Sequence, residues 1–417
     1  MKKYEITKCR ACGSEKLKPI ISLGEQYISN FIKSEEEQGD KVPLDLVLCE
    51  KCKLLQLKHN APAGSMWNEQ YWYKSNINKL IREDLNDIVK KAEKLVKLET
   101  GDTVIDIGCN DGTLFGFYKN PNLHFVGYEP CKNVAEEARK KGYNIINDFF
   151  NVEHKIDTPI QAKVITAISM FYDLEDPNKF LEGIKKCLDR DGLFIIQQNY
   201  VLSMLDQNAF CNIVHEHREY YSLLSLNNLL GKHGLEIFDI ELNNINGGSI
   251  RTYIKFKENK TLEGFSGSKE RIKLQQEKEK EAELDTPYPY KEFALRISLI
   301  KKQVMEVLDN LKEEGKTIGG CGASTRGNTI LQYFGITPDL ISCIAEANPD
   351  KWGLKTVGSL IPIISIDEMK KLNPDYQLVL IWHLFDGLVD KEKQFLDEGG
   401  KFILPLPEFK IVSKENN

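Results

Sequence analysis

Two short runs in this 417-residue chain have residue types and spacing that could do chemistry. The first is a repeated Cys-x-x-Cys, Cys9 with Cys12 and Cys49 with Cys52. Each such turn aims two thiolates at one point, so the two together suit a tetrahedral four-thiolate zinc site. The 36 residues between the pairs leave room for a hairpin. All four ligands are protein atoms, so the metal is expected to be structural and to supply folding energy to a region with little core of its own. The alternatives are a redox dithiol pair or unrelated buried cysteines. The second run is "NIVHEHREYYS", residues 212–222. His215 and His217 stand two apart, which suits one face of a strand or a turn rather than a helical metal pair. Alone, that run reads sooner as a loop pair bonded to nearby backbone than as a functional site.

A third stretch, "GDTVIDIGCNDGTLFGFY", reads as a strand at residues 104–107, a glycine turn and a helix. Gly108 and Gly112 let the backbone approach a ligand closely. The spacing Asp106-x-Gly108-x-x-x-Gly112 is not the dinucleotide fingerprint; it is the pattern of class I S-adenosylmethionine (SAM) methyltransferases. There the turn, which includes Asn110, faces a cationic methionyl group, and the acidic Asp106 and Asp111 make electrostatic sense. Glu129, 17 residues beyond Gly112, ends the next strand and is placed for the ribose hydroxyls. Asp148 ends "YNIIND", where such folds often meet the adenine amino group. The competing reading is a Rossmann-like fold for another nucleotide.

The elements that must position these residues fall into three regions: a zinc-binding module at residues 1–66, a SAM domain at 67–260 and a second Rossmann-like α/β domain at 261–417. The length calls for more than one core. "SGSKERIKLQQEKEKEAELDTPYPY" marks the change of domain and reads as a solvated, charged linker helix, followed by a helix over residues 291–314. Beyond it, "TIGGCGAS", "LISCIAEAN", "QLVLIWHL" and "KFILPLP" read as buried parallel strands. "GCGASTRGNTIL" is strand, glycine turn, helix. The backbone of residues 322–327, with Ser324 and Arg326, is a natural anion site, expected to take a substrate diphosphate. Glu346 and Asn348 at the next strand end could read a sugar or base hydroxyl. The net charge of -6 argues against a nucleic-acid binder. No apolar run is long enough to span a membrane, and no signal peptide is recognised. Ten cysteines without such a signal point to a reducing cytoplasm. The six outside the pairs, and His383, read as packing residues.

The order "CRACG…CEKC", "YWYKS", "VIDIGCNDGTL", "HEHREYYS", "NGGSIRTY", "GCGASTRGNTIL", "LVLIWHLFDGL" resembles, over nearly the whole chain, the three-domain sugar C-methyltransferases of deoxysugar biosynthesis. The resemblance implies SAM-dependent methylation of a nucleotide-linked ketosugar at a ring carbon. A base removes the acidified C–H, and the enolate attacks the SAM methyl. It implies His217 as that base, Glu216 orienting a sugar hydroxyl or tuning the base, His215 beside them, and Tyr71 and Tyr73 contacting the sugar or its enolate oxygen. Asn246 and Arg251 of "NGGSIRTY", and Gly322, Ser324, Arg326, Asn328 and Glu346, are the implied substrate contacts. It leans towards a monomer that acts on a small-molecule nucleotide sugar, with no nucleic-acid or membrane partner. The chain departs from the family at three points: Val214 replaces a tyrosine before HEH, the loop "MFYDLEDP" with Tyr172 lacks a histidine, and Asn246 replaces a histidine. Those changes leave open an N- or O-methyltransferase on a related precursor. A non-catalytic nucleotide-sugar-binding protein is the rival of another class.

Overall fold

The computed structural model describes residues 4–67, 71–151 and 161–415. The N-terminal module is built on an antiparallel sheet in the order Leu17–Tyr27, Lys41–Cys49, Leu55–Leu57 and Glu219–Tyr220. Its last strand is borrowed from the HEHREYYS run, with Glu219 opposite Gln56 and Tyr220 opposite Leu55. The chemistry-bearing run is therefore a structural part of the zinc module as well.

The central sheet has seven strands in the order Leu235–Asn243, Ser249–Phe256, Leu188–Asn199, Ala162–Ile168, Thr103–Ile107, His124–Tyr128, Asn144–Ile146. The last five are parallel to one another and the first two are antiparallel additions. Thr103–Ile107 lies between the second and fourth parallel strands in chain order. This is the switch point outside which open α/β sheets bind ligands. Its strand ends carry Asp106 and, across the switch, the loop that begins at Ser169. Helix starts follow their caps: Asp176 accepts from the Lys179 N–H ahead of Pro177, and Ser222 with Ser225 forms a reciprocal box.

The C-terminal sheet runs Ile363–Ser365, Ile344–Glu346, Ile318–Cys321, Tyr376–Val379, Lys401–Leu404, Lys410–Val412. Its strands are parallel except the last. Helix Tyr288–Glu313 leads into it, burying Phe293, Ile297, Ile300, Val304, Leu308 and Leu311 at steps of three and four. A two-residue pairing of Phe31–Ile32 with Lys355–Thr356 ties this domain directly to the N-terminal module.

The charged helix Ser268–Glu281 differs from the expected solvated linker. Glu279 is buried and its carboxylate accepts from the Leu224 N–H (2.9 Å), the Leu223 N–H and the Tyr200 hydroxyl (2.6 Å). Arg271 forks onto Asp239 at 2.7 and 2.8 Å. The helix docks on the central domain because two of its charges are spent as caps and ion pairs, which a count of charged residues does not reveal.

Candidate active site

The four cysteines come together. Their sulfurs lie within 4.8 Å of one another, with Cys9 to Cys52 and Cys12 to Cys49 each at 3.5 Å. A tetrahedral zinc with bonds of about 2.3 Å puts its sulfurs roughly 3.8 Å apart, so the set fits one ion. Each knuckle closes alike. The Gly13 and Lys53 N–H groups donate to the Cys9 and Cys49 carbonyls (2.8 and 3.0 Å), and both residues take left-handed backbone. Gln56 donates to the Cys9 sulfur at 3.2 Å, steadying a thiolate from outside the ligand set.

At the switch point lies a cavity of about 350 Å³, of a size to hold a cofactor. Asp106, Gly108, Asn110, Glu129 and Asp148 all line it. Gly108 and Gly112 have φ of +73° and +71°, and a Cβ on Gly112 would meet the Tyr143 ring at 2.9 Å. Glu129 accepts from the Asn110 N–H (2.9 Å) and the Cys131 N–H (2.8 Å), one on each oxygen. Each oxygen keeps a lone-pair direction for a ribose hydroxyl. Asp106 accepts from the Thr166 hydroxyl at 2.6 Å; burial pushes its carboxyl up to about 7, the bond to Thr166 opposing. Asp111 is turned elsewhere. It accepts from Thr113 and faces Lys141 at 3.6 Å, and it is absent from the cavity wall.

The segment "YWYKS" forms the opposite wall, and two asparagines hold it there. Asn110 accepts from the Ser75 N–H (3.0 Å) and donates to the Tyr73 carbonyl (3.1 Å). Asn133 does the same to Tyr71, at 3.1 and 2.9 Å. Tyr71 and Tyr73 thereby line the cofactor cavity. Trp72 faces the other way, donating to the Asn30 side chain at 2.9 Å and packing edge-on to Phe31. Asn133 and Asn30 were invisible as site-builders in the sequence, because isolated asparagines carry no pattern.

The HEH run divides. The His215 Nε2 donates to the Val42 carbonyl at 2.9 Å, and the ring is buried against the N-terminal module. His215 thereby links the run to the N-terminal module. The His217 Nδ1 must likewise carry a hydrogen, since its partner at 2.8 Å is the Asn212 carbonyl. That leaves the Nε2 lone pair free. Desolvation, and then Arg326, hold the ring down at about 3, the bond to Asn212 opposing. The Tyr172 ring stands edge-on to it at 4.3 Å. His217 is not on the wall of the large cavity; it lines an adjoining one of about 10 Å³ with Tyr172, Asn199 and Tyr220. Desolvation raises Glu216 to about 7, against the pull of Arg326.

Arg326 thus reaches the central site from the C-terminal domain, donating to the Asn246 carbonyl at 2.7 Å. The turn that offers this carbonyl is sterically determined: a Cβ on Gly247 would meet Trp382 at 3.1 Å, and one on Gly248 would meet Ser203 at 2.5 Å. Gly322 is likewise required by Ile381, 2.5 Å from a Cβ placed there. The Ser324 hydroxyl accepts from the Gly327 N–H at 3.0 Å as a helix cap. Glu346 accepts from the Asn348 N–H at 2.8 Å. Two expected substrate contacts also make bonds within the protein. Arg251 is 1% exposed and its guanidinium is spent on Gln197, Asp84, Asp87 and Glu241 at 2.7–3.1 Å. Asn328 is fully buried and donates to the Asn30 carbonyl at 2.9 Å. Arg251 is fully engaged within the fold, whereas the buried Asn328 Oδ1 has no hydrogen-bond partner among the described residues.

Comparison with known proteins agrees with this arrangement. Family models match in series: a zinc binding domain at residues 9–67, a methyltransferase domain at 73–240, and a C-methyltransferase C-terminal domain at 244–407. The C-methyltransferase NovU of Streptomyces niveus is 30% identical over 417 residues, 99% of this chain and 98% of NovU. Among solved structures, a SAM-dependent methyltransferase from Clostridium acetobutylicum is 14% identical, covering 42% of this chain and 92% of its own, with a TM-score of 0.33. Magnesium protoporphyrin IX methyltransferase from Synechocystis PCC 6803, with bound SAM, is 12% identical over 42% of this chain and 79% of its own, also with a TM-score of 0.33. With the three models in order and a relative matched end to end, the chain belongs to the family of zinc-containing, SAM-dependent C-methyltransferases.

Proposed function

We propose that this C-methyltransferase acts on a nucleotide-activated ketosugar, at a ring carbon beside the ketone, with His217 as the base. The observation that carries the reading is the His217 tautomer: Nδ1–H is held by the Asn212 carbonyl, so Nε2 presents a lone pair. A neutral imidazole can take the proton that a neighbouring carbonyl has acidified. The electron pair then moves onto the carbonyl oxygen, and the enolate carbon takes the methyl. Tyr71 and Tyr73 line the cofactor cavity, and Tyr71 feels the charge of Glu216, which favours a role for it beside the acceptor. Arg326, close to Glu216 and His217, supplies positive charge beside the acceptor. The printed name of NovU, a C-methyltransferase, supports carbon as the receiving atom.

The test is transfer from methyl-labelled SAM to a panel of nucleoside-diphosphate keto- and aminosugars, with the label located by NMR. Label on a ring carbon beside the ketone is the expected result. Label on oxygen or nitrogen would sink it.

A further inference from the structure

The Asp173 carboxyl belongs to the wall of the cofactor cavity. Asp173 ends the single turn Phe171–Asp173 that follows the strand Ala162–Ile168. Its Oδ1 is buried and has no hydrogen-bond partner among the described residues, yet the residue lines the 350 Å³ cavity. The nearby cation does not serve the carboxylate. The Arg218 guanidinium donates instead to the Asp173 backbone carbonyl, at 2.7 Å. The Arg218 N–H also donates to the Tyr172 carbonyl at 2.8 Å, so the turn is tied to the HEHREYYS run. Asp173 is thereby held beside the run that carries Glu216 and His217, and it feels the charge of Glu216.

A buried carboxyl without a partner costs free energy unless it is protonated or meets a ligand's polar group. The groups that face Asp173 favour the proton: Glu216 and Glu219 are acidic, Tyr71 and Tyr220 are phenols, and Arg218 alone opposes them. Desolvation is the largest cause and pushes the group well above the usual carboxylate range. Tyr71 is pushed up too, by burial and then by Glu216 and Asp173, so it also keeps its hydrogen. Two O–H donors therefore stand at one end of a cavity whose reaction places negative charge on an oxygen. A carboxylic acid kept neutral in this way is an effective donor to an enolate.

We propose that Asp173 is a catalytic donor of this site, its carboxyl O–H hydrogen-bonding the acceptor oxygen that becomes negative as the enolate forms. This rests on the enolate reading of the previous section. When the C–H proton passes to His217 Nε2, the C–H electron pair forms the C=C bond. The former carbonyl pair moves to oxygen and stays there, the Asp173 and Tyr71 O–H groups donating hydrogen bonds to that oxygen, and it re-forms the carbonyl when the carbon attacks. Attack by the enolate carbon forms the new C–C bond, and the methyl–sulfur bond breaks with its pair left on sulfur.

The experiment compares wild type, Asp173→Ala and Asp173→Asn for transfer of labelled methyl to nucleoside-diphosphate ketosugars, with SAM affinity and thermal unfolding measured on each variant. Asp173→Ala removes the donor and should lower kcat by about 10²–10³-fold with SAM affinity unchanged. Asp173→Asn keeps a donor and should retain at least about a tenth of the wild-type rate. If the alanine variant does not fold, the asparagine variant decides by the same threshold. An alanine variant within about threefold of wild type overturns the proposal; so does an asparagine variant as inactive as alanine, which would assign an ionised base instead. A wild-type product labelled on oxygen or nitrogen overturns the enolate reading and the donor role together. A carbon-labelled wild-type product with an undiminished alanine rate overturns the donor role alone.

Discussion

The Asn110 side-chain amide donates to the Tyr73 backbone carbonyl at 3.1 Å while its oxygen accepts from the Ser75 N–H at 3.0 Å. One residue of the glycine turn thus reads two backbone groups of the opposite wall, as a neighbouring strand would. The Asn110 N–H, in turn, is held by Glu129. The glycine turn, the Glu129 strand end and the wall formed by residues 71–75 are one hydrogen-bonded unit.

Breaking that unit at its other anchor should loosen the wall without touching the glycine turn. Asn133→Ala removes both bonds to Tyr71. Two such bonds are worth roughly 1–3 kcal/mol. KM values for SAM and acceptor should rise about 5- to 100-fold, with zinc content unchanged. Steady-state kinetics with both substrates varied would show this, and unchanged KM values would refute it.

His217→Gln should lower kcat by about 10²–10⁴-fold and leave SAM affinity intact, as expected for a base that acts on the acceptor. Because the ring is held down at about 3, wild-type kcat should show no acid limb near the ordinary histidine value. A limb near 6.5 that vanishes in the glutamine variant would contradict the structure's account of this residue.

Cofactor binding should depend on pH through Asp106. Its folded carboxyl titrates near 7, above the ordinary 3.8, so the ligand-free protein favours the protonated form. For an acid raised on folding, its contribution to stability falls as pH rises from about 4 to 7. A cationic ligand favours the carboxylate, so SAM affinity should improve over the same window and then level off. Calorimetric titration should detect proton release below pH 7, and Asp106→Asn should flatten the dependence.

Arg251 predicts a stability effect rather than a substrate effect. Arg251→Ala leaves the buried Asp84 without a cation, while Asp87 and Glu241 keep Lys91 at 2.8 Å. Breaking a buried pair on one side costs about 3–5 kcal/mol. Thermal unfolding should shift down strongly, while any acceptor KM measured on the folded fraction stays close to wild type.

Zinc removal should reach the HEH run. The Leu57 N–H donates to the Arg218 carbonyl, and His215 is held by Val42. Cys49→Ser, or chelation, should lower zinc below about one per chain and reduce kcat more than it weakens SAM binding. Metal analysis beside activity and binding would separate these effects.

Much of this molecule is legible in the chain by itself. Cysteine pairs three positions apart in each turn dictate a four-sulfur cluster because thiolate geometry around zinc is local to each knuckle. The D-x-G-x-x-x-G turn and the acidic strand ends dictate a cofactor crevice because strand, turn and helix are contiguous. What only tertiary structure decided are the contacts that join distant segments. That His215 braces a module while His217 presents a lone pair depends on which carbonyl, Val42 or Asn212, meets each ring. That Arg251 is a brace depends on three acids brought in from Asp84, Asp87 and Glu241. That Asp173 faces a cavity with a free oxygen depends on Arg218 being spent on its backbone. Residue type announces what a side chain can bond; its partner is chosen by packing between segments far apart in sequence, and that choice separates support from chemistry.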